Sequence, residues 1–285
     1  MNKTVLGFGL AALAASVLTA QDANPLRQSI KVPFSDATAQ RKLVVEGLVG
    51  AITVRGYEGK EAVVEYTGRA GNSRSSANNP PPAGMHRIGG GRDMEITEDH
   101  NTIRVGHGSF MFPTDIVIQV PVDTSVNVSS LAGGAGGISI ENVSGEIEAS
   151  NMAGPVTITN ASGSVVAHSM AGKITVTLNK VMPDKSMSFS TMNGDIDVTL
   201  PADTKARLKM KTDNGDIFTD FDVTLDPQKG ATTVEEQKSK GTKNGKDTRT
   251  RYRARLDSTT NGIINGGGPE MQFTTFNGRI VIHKK

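Results

Sequence analysis

The sequence predicts an all-β fold: a single-stranded β-solenoid, or β-helix, with short coils of about 18–22 residues, an N-terminal β cap and a signal peptide. Three observations carry this expectation. A glycine turn recurs along the chain, a short strand of alternating polarity follows each copy, and the composition is unusual. It includes 32 glycines, no tryptophan and only 4% aromatic residues. That suits many tight turns around a thin Val/Ile core better than a globular core of large side chains.

From the N-terminus, residues 1–20 read as an export signal. Lys3 is a short positive region, Val5 to Leu18 is apolar, and Ala20 offers a small residue for cleavage. The apolar run is shorter than the roughly 20 residues a membrane span needs. Export is therefore expected, to the periplasm or the cell exterior, with no transmembrane anchor after cleavage. Loss of Lys3 takes the formal charge from +2 to about +1, so global charge points to no partner. With no cysteine in the chain, disulfides, thiolate nucleophiles and Cys-ligated metals are excluded.

Residues 21–125 are expected to form N-terminal β strands or a cap, with a mobile loop over 71–92. That loop is nearly devoid of apolar residues and cannot offset the entropy of ordering it. Residues 126–285 are expected to form the solenoid repeats, with a basic insertion over 224–268.

The turn recurs as Leu131-Ala-Gly133, Met152-Ala-Gly154, Met170-Ala-Gly172, Met192-Asn-Gly194, Asp213-Asn-Gly215 and Phe276-Asn-Gly278. Its glycines are 21, 18, 22, 21 and 63 residues apart, and the last gap is three times 21. A second turn, Asn142-Val-Ser-Gly145 and Asn160-Ala-Ser-Gly163, falls between copies of the first. After each first turn the second residue is aliphatic, and period-two alternation puts it on one face. Stacked coils then place Val156, Ile174, Ile196, Ile217 and Ile280 in one column, and Met152, Met170 and Met192 in another. Glycine is expected at the corner because the backbone there takes positive φ, which asparagine tolerates next best.

These residues resemble a known family, the bacterial adhesin β-solenoid domain of the DUF4097 type. The resemblance rests on Met192-Asn-Gly-Asp-Ile-Asp-Val198 and Asp213-Asn-Gly-Asp-Ile-Phe218, with looser copies elsewhere. Val49-Gly-Ala-Ile-Thr-Val-Arg-Gly-Tyr57 and Asp115-Ile-Val-Ile-Gln-Val-Pro-Val122 are similar to that family's opening strands. It covers about residues 40–285 apart from the two insertions. The resemblance implies a fold and an adhesin-like role, and it carries over no catalytic residue.

Within the basic insertion, Arg249, Arg251, Arg253 and Arg255 alternate with Thr250, Tyr252, Ala254 and Leu256. As a strand, this stretch would align four guanidinium groups on one face at about 7 Å spacing. Their repulsion would be relieved by an anionic polysaccharide or lipopolysaccharide. Another envelope protein is the other candidate partner, and no specific nucleic-acid binding is expected. The competing expectation is an exposed strand whose charges block edge-to-edge aggregation.

Elsewhere the chemistry is sparse. Asp195, Asp197, Asp213, Asp216, Asp220 and Asp222 are the densest carboxylates. If coils stack in chain order, Asp195 lies above Asp216 with Lys173 on the neighbouring coil. Such stacking must be offset by a cation, by water or by raised pKa values. A Ca²⁺ site or an acid pair would follow from that, although aspartate beside Asn-Gly is also an ordinary turn former. The five histidines are dispersed, and no glycine run carries the Lys-Ser/Thr of a phosphate loop. No catalytic residue, cofactor or metal ligand is therefore assigned. The expected function is an exported, non-catalytic, adhesin-like binding or scaffold protein of the cell envelope. The alternative is a polysaccharide lyase or hydrolase on a β-helix, which the absence of tryptophan disfavours.

Overall fold

The computed structural model describes residues 27–68, 94–107, 114–131, 136–225, 233–238, 250–255 and 259–285. The export segment 1–20 and the loop 71–92 lie outside these residues.

The N-terminal strands are β1 (Arg27–Pro33), β2 (Lys42–Leu48), β3 (Ile52–Tyr57), β4 (Glu61–Gly68), β5 (Met94–Asp99), β6 (Thr102–His107) and β7 (Thr114–Pro121). There follow β8 (Ser125–Ser130), β9 (Ile138–Glu141), β10 (Ile147–Ala153), β11 (Val156–Ala161), β12 (Val165–Ala171), β13 (Ile174–Leu178), β14 (Met187–Asn193) and β15 (Ile196–Leu200). The remainder are β16 (Ala206–Asn214), β17 (Ile217–Thr219), β18 (Val223–Leu225), β19 (Thr233–Lys238), β20 (Thr250–Arg255), β21 (Thr259–Ile264), β22 (Glu270–Asn277) and β23 (Ile280–Lys284).

Two large sheets result, and a coil contributes one strand to each. The first sheet runs β1-β4-β7-β3-β9-β11-β13-β15-β23-β17, and the second runs β18-β21-β16-β22-β14-β12-β10-β8-β2-β6-β5. The chain is an all-β solenoid. From β7 to β17 in the first sheet, and from β6 to β16 in the second, neighbouring strands are parallel. At strand spacing, the eight coils make a stack about 35–40 Å long. Antiparallel strands close its ends: β1 and β4 on the first sheet, β5, β21 and β18 on the second.

The spatial order of coils differs from the chain order at both ends. The coil of β2 and β3 lies between that of β6 and β7 and that of β8 and β9. The last coil, β22 and β23, lies between that of β14 and β15 and that of β16 and β17. Stacking in simple chain order is thus corrected: residues 206–219 form the outer coil, and the C-terminal coil slots inside it.

The core is shared by both sheets. Ile116, Ile52, Ile138, Val156, Ile174, Ile196 and Ile280 form one continuous buried ladder that ends on half-buried Ile217. Burial of each such aliphatic side chain contributes about 1.5–3 kcal/mol. Opposite it, Phe189 and Phe273 stack with centroids 5.1 Å apart. The expected methionine column also exists, but it faces outward: Met152, Met170 and Met192 are about half exposed. Alternation explains this, because Asn151, Ser169 and Thr191 point inward one residue earlier.

Those inward polar residues bind the turns together. Ser169 Oγ donates to the Gly154 carbonyl at 3.1 Å, Thr191 Oγ1 to Gly172 at 3.1 Å, Thr275 Oγ1 to Gly194 at 3.0 Å and Thr212 Oγ1 to Gly278 at 2.9 Å. Each bond satisfies a turn carbonyl on the adjacent coil that would otherwise be lost to the interior. Glycine is required by close approach at every described copy of the first turn, and positive φ adds to that at Gly154 (139°) and Gly278 (150°) but not at the other described copies. A Cβ at Gly194 would lie 2.3 Å from the Gly172 carbonyl oxygen, and φ at Gly194 is not positive. The second turn does use the left-handed region, through Asn142 (φ 57°) and Asn160 (φ 56°).

Candidate functional site

The basic strand is the first candidate. Arg249 lies outside the described residues. Arg251, Arg253 and Arg255 fall on β20, which pairs antiparallel with β19 as a separate two-stranded sheet. The register sets Arg253 opposite Glu235, Arg251 opposite Gln237 and Arg255 opposite Thr233. The two strands together hold three arginines and Lys238 against Glu235 and Glu236, so the hairpin is net basic by sequence.

The second candidate is the acidic cluster, which the interleaved C-terminal coil turns into a charge ladder. Asp195 and Asp216 are not on adjacent coils, because Arg279 occupies the rung between them. Arg279 Nη2 lies 2.8 Å from Asp195 Oδ2, and the Arg279 backbone N–H donates to Asp195 Oδ1 at 2.8 Å. The guanidinium and that N–H hold the Asp195 carboxyl below its usual range, and the pair raises the Arg279 pKa in turn. From the coil on the other side of Asp195, Lys173 reaches diagonally into the next column, its Nζ 2.9 Å from Asp197 Oδ2. His283 stands between Asp197 and Asp220, 3.6 Å and 3.8 Å away.

Asp195 and Asp197 thus draw their cations from opposite neighbouring coils, Arg279 on one side and Lys173 on the other. Arg279 and His283 were not linked to these acids by sequence reasoning, since 84 residues separate Arg279 from Asp195. Asp213 and Asp222 join neither column of ion pairs. Among the described residues, no three of Asp, Glu and His converge in a metal-holding group. His168 Nδ1 lies 2.9 Å from Ser190 Oγ on the exposed face of the second sheet, and His100 is beside Asp99. His86 falls outside the described residues.

A shallow groove of about 420 Å³ crosses the second sheet, lined by Gln40, Lys42, Ser125, Asn127, Glu146 and Glu148 among others. Its carboxylates are engaged: Asn127 Nδ2 donates to Glu148 at 2.7 Å, and Lys185 Nζ pairs with Glu146 at 3.0 Å. The groove is open and polar, and its two acids are tied to a neighbouring coil and a neighbouring loop.

Residues 122–259 match the family described as Toastrack DUF4097. Two solved structures are similar. A "putative cell adhesion protein" from Clostridium sporogenes ATCC 15579 has 10% identity and a TM-score of 0.49, covering 92% of this chain and 100% of its own. A "putative adhesin" from Bacteroides fragilis NCTC 9343 has 12% identity and a TM-score of 0.39, covering 91% of this chain and 97% of its own. No curated protein matches the chain.

Proposed function

We propose that this chain, whose residues 122–259 carry the Toastrack DUF4097 domain, is an exported, adhesin-like binding and scaffold protein of the cell envelope rather than an enzyme. The observation that carries the reading is the charge ladder. Three of the six densest carboxylates, Asp195, Asp197 and Asp220, which an enzymatic reading would draw on, face side chains of neighbouring coils: Arg279, Lys173 and His283. What remains outward is a pair of long, repetitive faces suited to extended contact. Export is supported by the apolar segment after Lys3.

The contact we assign is the net-basic hairpin, through Arg249, Arg251, Arg253 and Arg255, to anionic polysaccharide or lipopolysaccharide. A planar guanidinium binds phosphate and carboxylate in two-pronged fashion. The test is retention of purified protein on immobilised lipopolysaccharide or an acidic polysaccharide across a salt series, with Arg251→Ser/Arg253→Ser beside the wild type. Retention should fall steeply with salt and by about tenfold or more in the variant. Salt-insensitive retention, or a variant that binds as well as wild type, removes the hairpin from the reading.

A further inference from the structure

Along one corner of the solenoid runs an apolar ridge. Leu131, Met152, Met170, Met192 and Phe276 occupy the same position in five successive coils, as the flanking pairs Ser130↔Asn151↔Ser169↔Thr191↔Thr275 fix. Each is between 44% and 52% exposed. The ridge stops abruptly: one rung beyond Phe276, the outer coil puts Lys211 and Asp213 at its edge.

The positions immediately beside the ridge carry no formal charge, and several are already paired. On one side Ser190 is bonded to His168 at 2.9 Å. On the other, Asn277 Nδ2 donates to Asn193 Oδ1 at 2.7 Å, and Ala153 and Ala171 fill the same column lower down. Covering these groups would strand few polar atoms, so the usual penalty for burying polar surface is small here.

We propose that this ridge is the interface between two copies of the chain, packed about a twofold axis with the ridges antiparallel and Met170 nearest the axis. A row of side chains repeating at strand spacing is matched along its whole length by another row of the same period, and a second copy supplies one. A twofold contact brings the same patch together from both sides, and centring it on Met170 overlaps all five rungs. The unbranched methionines adapt their packing to each other. Half-exposed side chains of this size offer about 450 Å² of apolar surface per copy, and the neutral flanks bring the contact toward the roughly 800 Å² per partner of a stable interface. The absence of formal charge on the ridge and its flanks argues against an ionic ligand at this site.

The test is sedimentation of the full chain, together with cross-linking in a background that holds no native cysteine. The wild type should dimerise with concentration, and Met152→Ser/Met192→Ser should weaken self-association at least about tenfold. Its melting should stay close to wild type, since both side chains are half exposed. Met170→Cys should form a disulfide with itself under mild oxidation, whereas Thr157→Cys on the other sheet should not. A wild type that stays monomeric up to about 100 μM, a dimer that survives the double serine variant, or no cross-link at Met170→Cys would overturn the proposal.

Discussion

Arg279 Nη2 lies 2.8 Å from Asp195 Oδ2, and this ion pair joins positions 84 residues apart on adjacent coils. It ties the C-terminal coil to the coil of β15, while His283 on the same strand faces Asp197 and Asp220. The contribution is modest, because Arg279 is well exposed and solvent screens the pair. Position matters more than strength, since the pair registers the last coil to be made.

The pair gives a pH signature. Arg279 holds the Asp195 pKa below its ordinary value, so its stabilisation is present above the unfolded value of about 3.9 and is lost as pH falls through the lower folded value. Arg279→Asp would set three carboxylates on successive rungs and raise their pKa values. Its melting temperature should be several degrees below wild type at neutral pH, and the gap should narrow as pH falls below about 4. Thermal melts of both proteins across that range check the sign.

Glycine at the first turn is a matter of stacking. A Cβ at Gly194, where φ is not positive, would lie 2.3 Å from the Gly172 carbonyl oxygen, backbone against backbone with nothing flexible to yield. Gly194→Ala should cost about 3 kcal/mol or more. Gly106→Ala, whose Cβ would meet its nearest neighbour at 3.6 Å, should cost under about 1 kcal/mol. Urea denaturation of the two variants measures the difference.

Each hydroxyl of the inner ladder spans two coils. Thr191→Val and Thr275→Val keep the side chain's shape while leaving the Gly172 and Gly194 carbonyls without that bond. Each should cost about 1–2 kcal/mol in denaturant titrations. The two sites are on neighbouring rungs, so the double variant tests whether the costs add.

The interleaved order has a kinetic consequence. Within the second sheet, β16 pairs with β22 and β21, both of which follow it in the chain. Its amides therefore gain sheet protection only when residues 259–277 dock, even though the preceding coils are complete in sequence. Pulse-labelled hydrogen exchange during refolding should show 206–214 protected together with 270–277 and after 147–176. Protection of 206–214 ahead of the C-terminal coil would contradict the order of stacking.

Much of this was legible in the residues, and what was missed has definite physical causes. The aliphatic ladder from Val156 to Ile196 followed from alternation after each Gly. The place of Ile280 did not, because Gly278-Arg-Ile-Val-Ile and Gly215-Asp-Ile-Phe-Thr present the same pattern and either can stack on Ile196. Charge could have decided it: Arg279 between Asp195 and Asp216 relieves a repulsion that direct stacking would create. The inner hydroxyls were also readable, since Ser169, Thr191, Thr212 and Thr275 all stand three residues before a turn glycine. Parity from those same residues places Met152, Met170 and Met192 outside. For the basic strand, the sequence supplies alternation and charge, while its pairing with Glu235 and Glu236 on β19 emerges only from long-range register.

Binding without turnover is the centre of the account. Incubation of the purified chain with lipopolysaccharide and an acidic polysaccharide, followed by both retention and sizing of the glycan, tests it most directly. The expected result is salt-dependent retention with the glycan's length distribution unchanged. Absence of retention, or shortened glycan whose production Asp195→Asn abolishes, would contradict it.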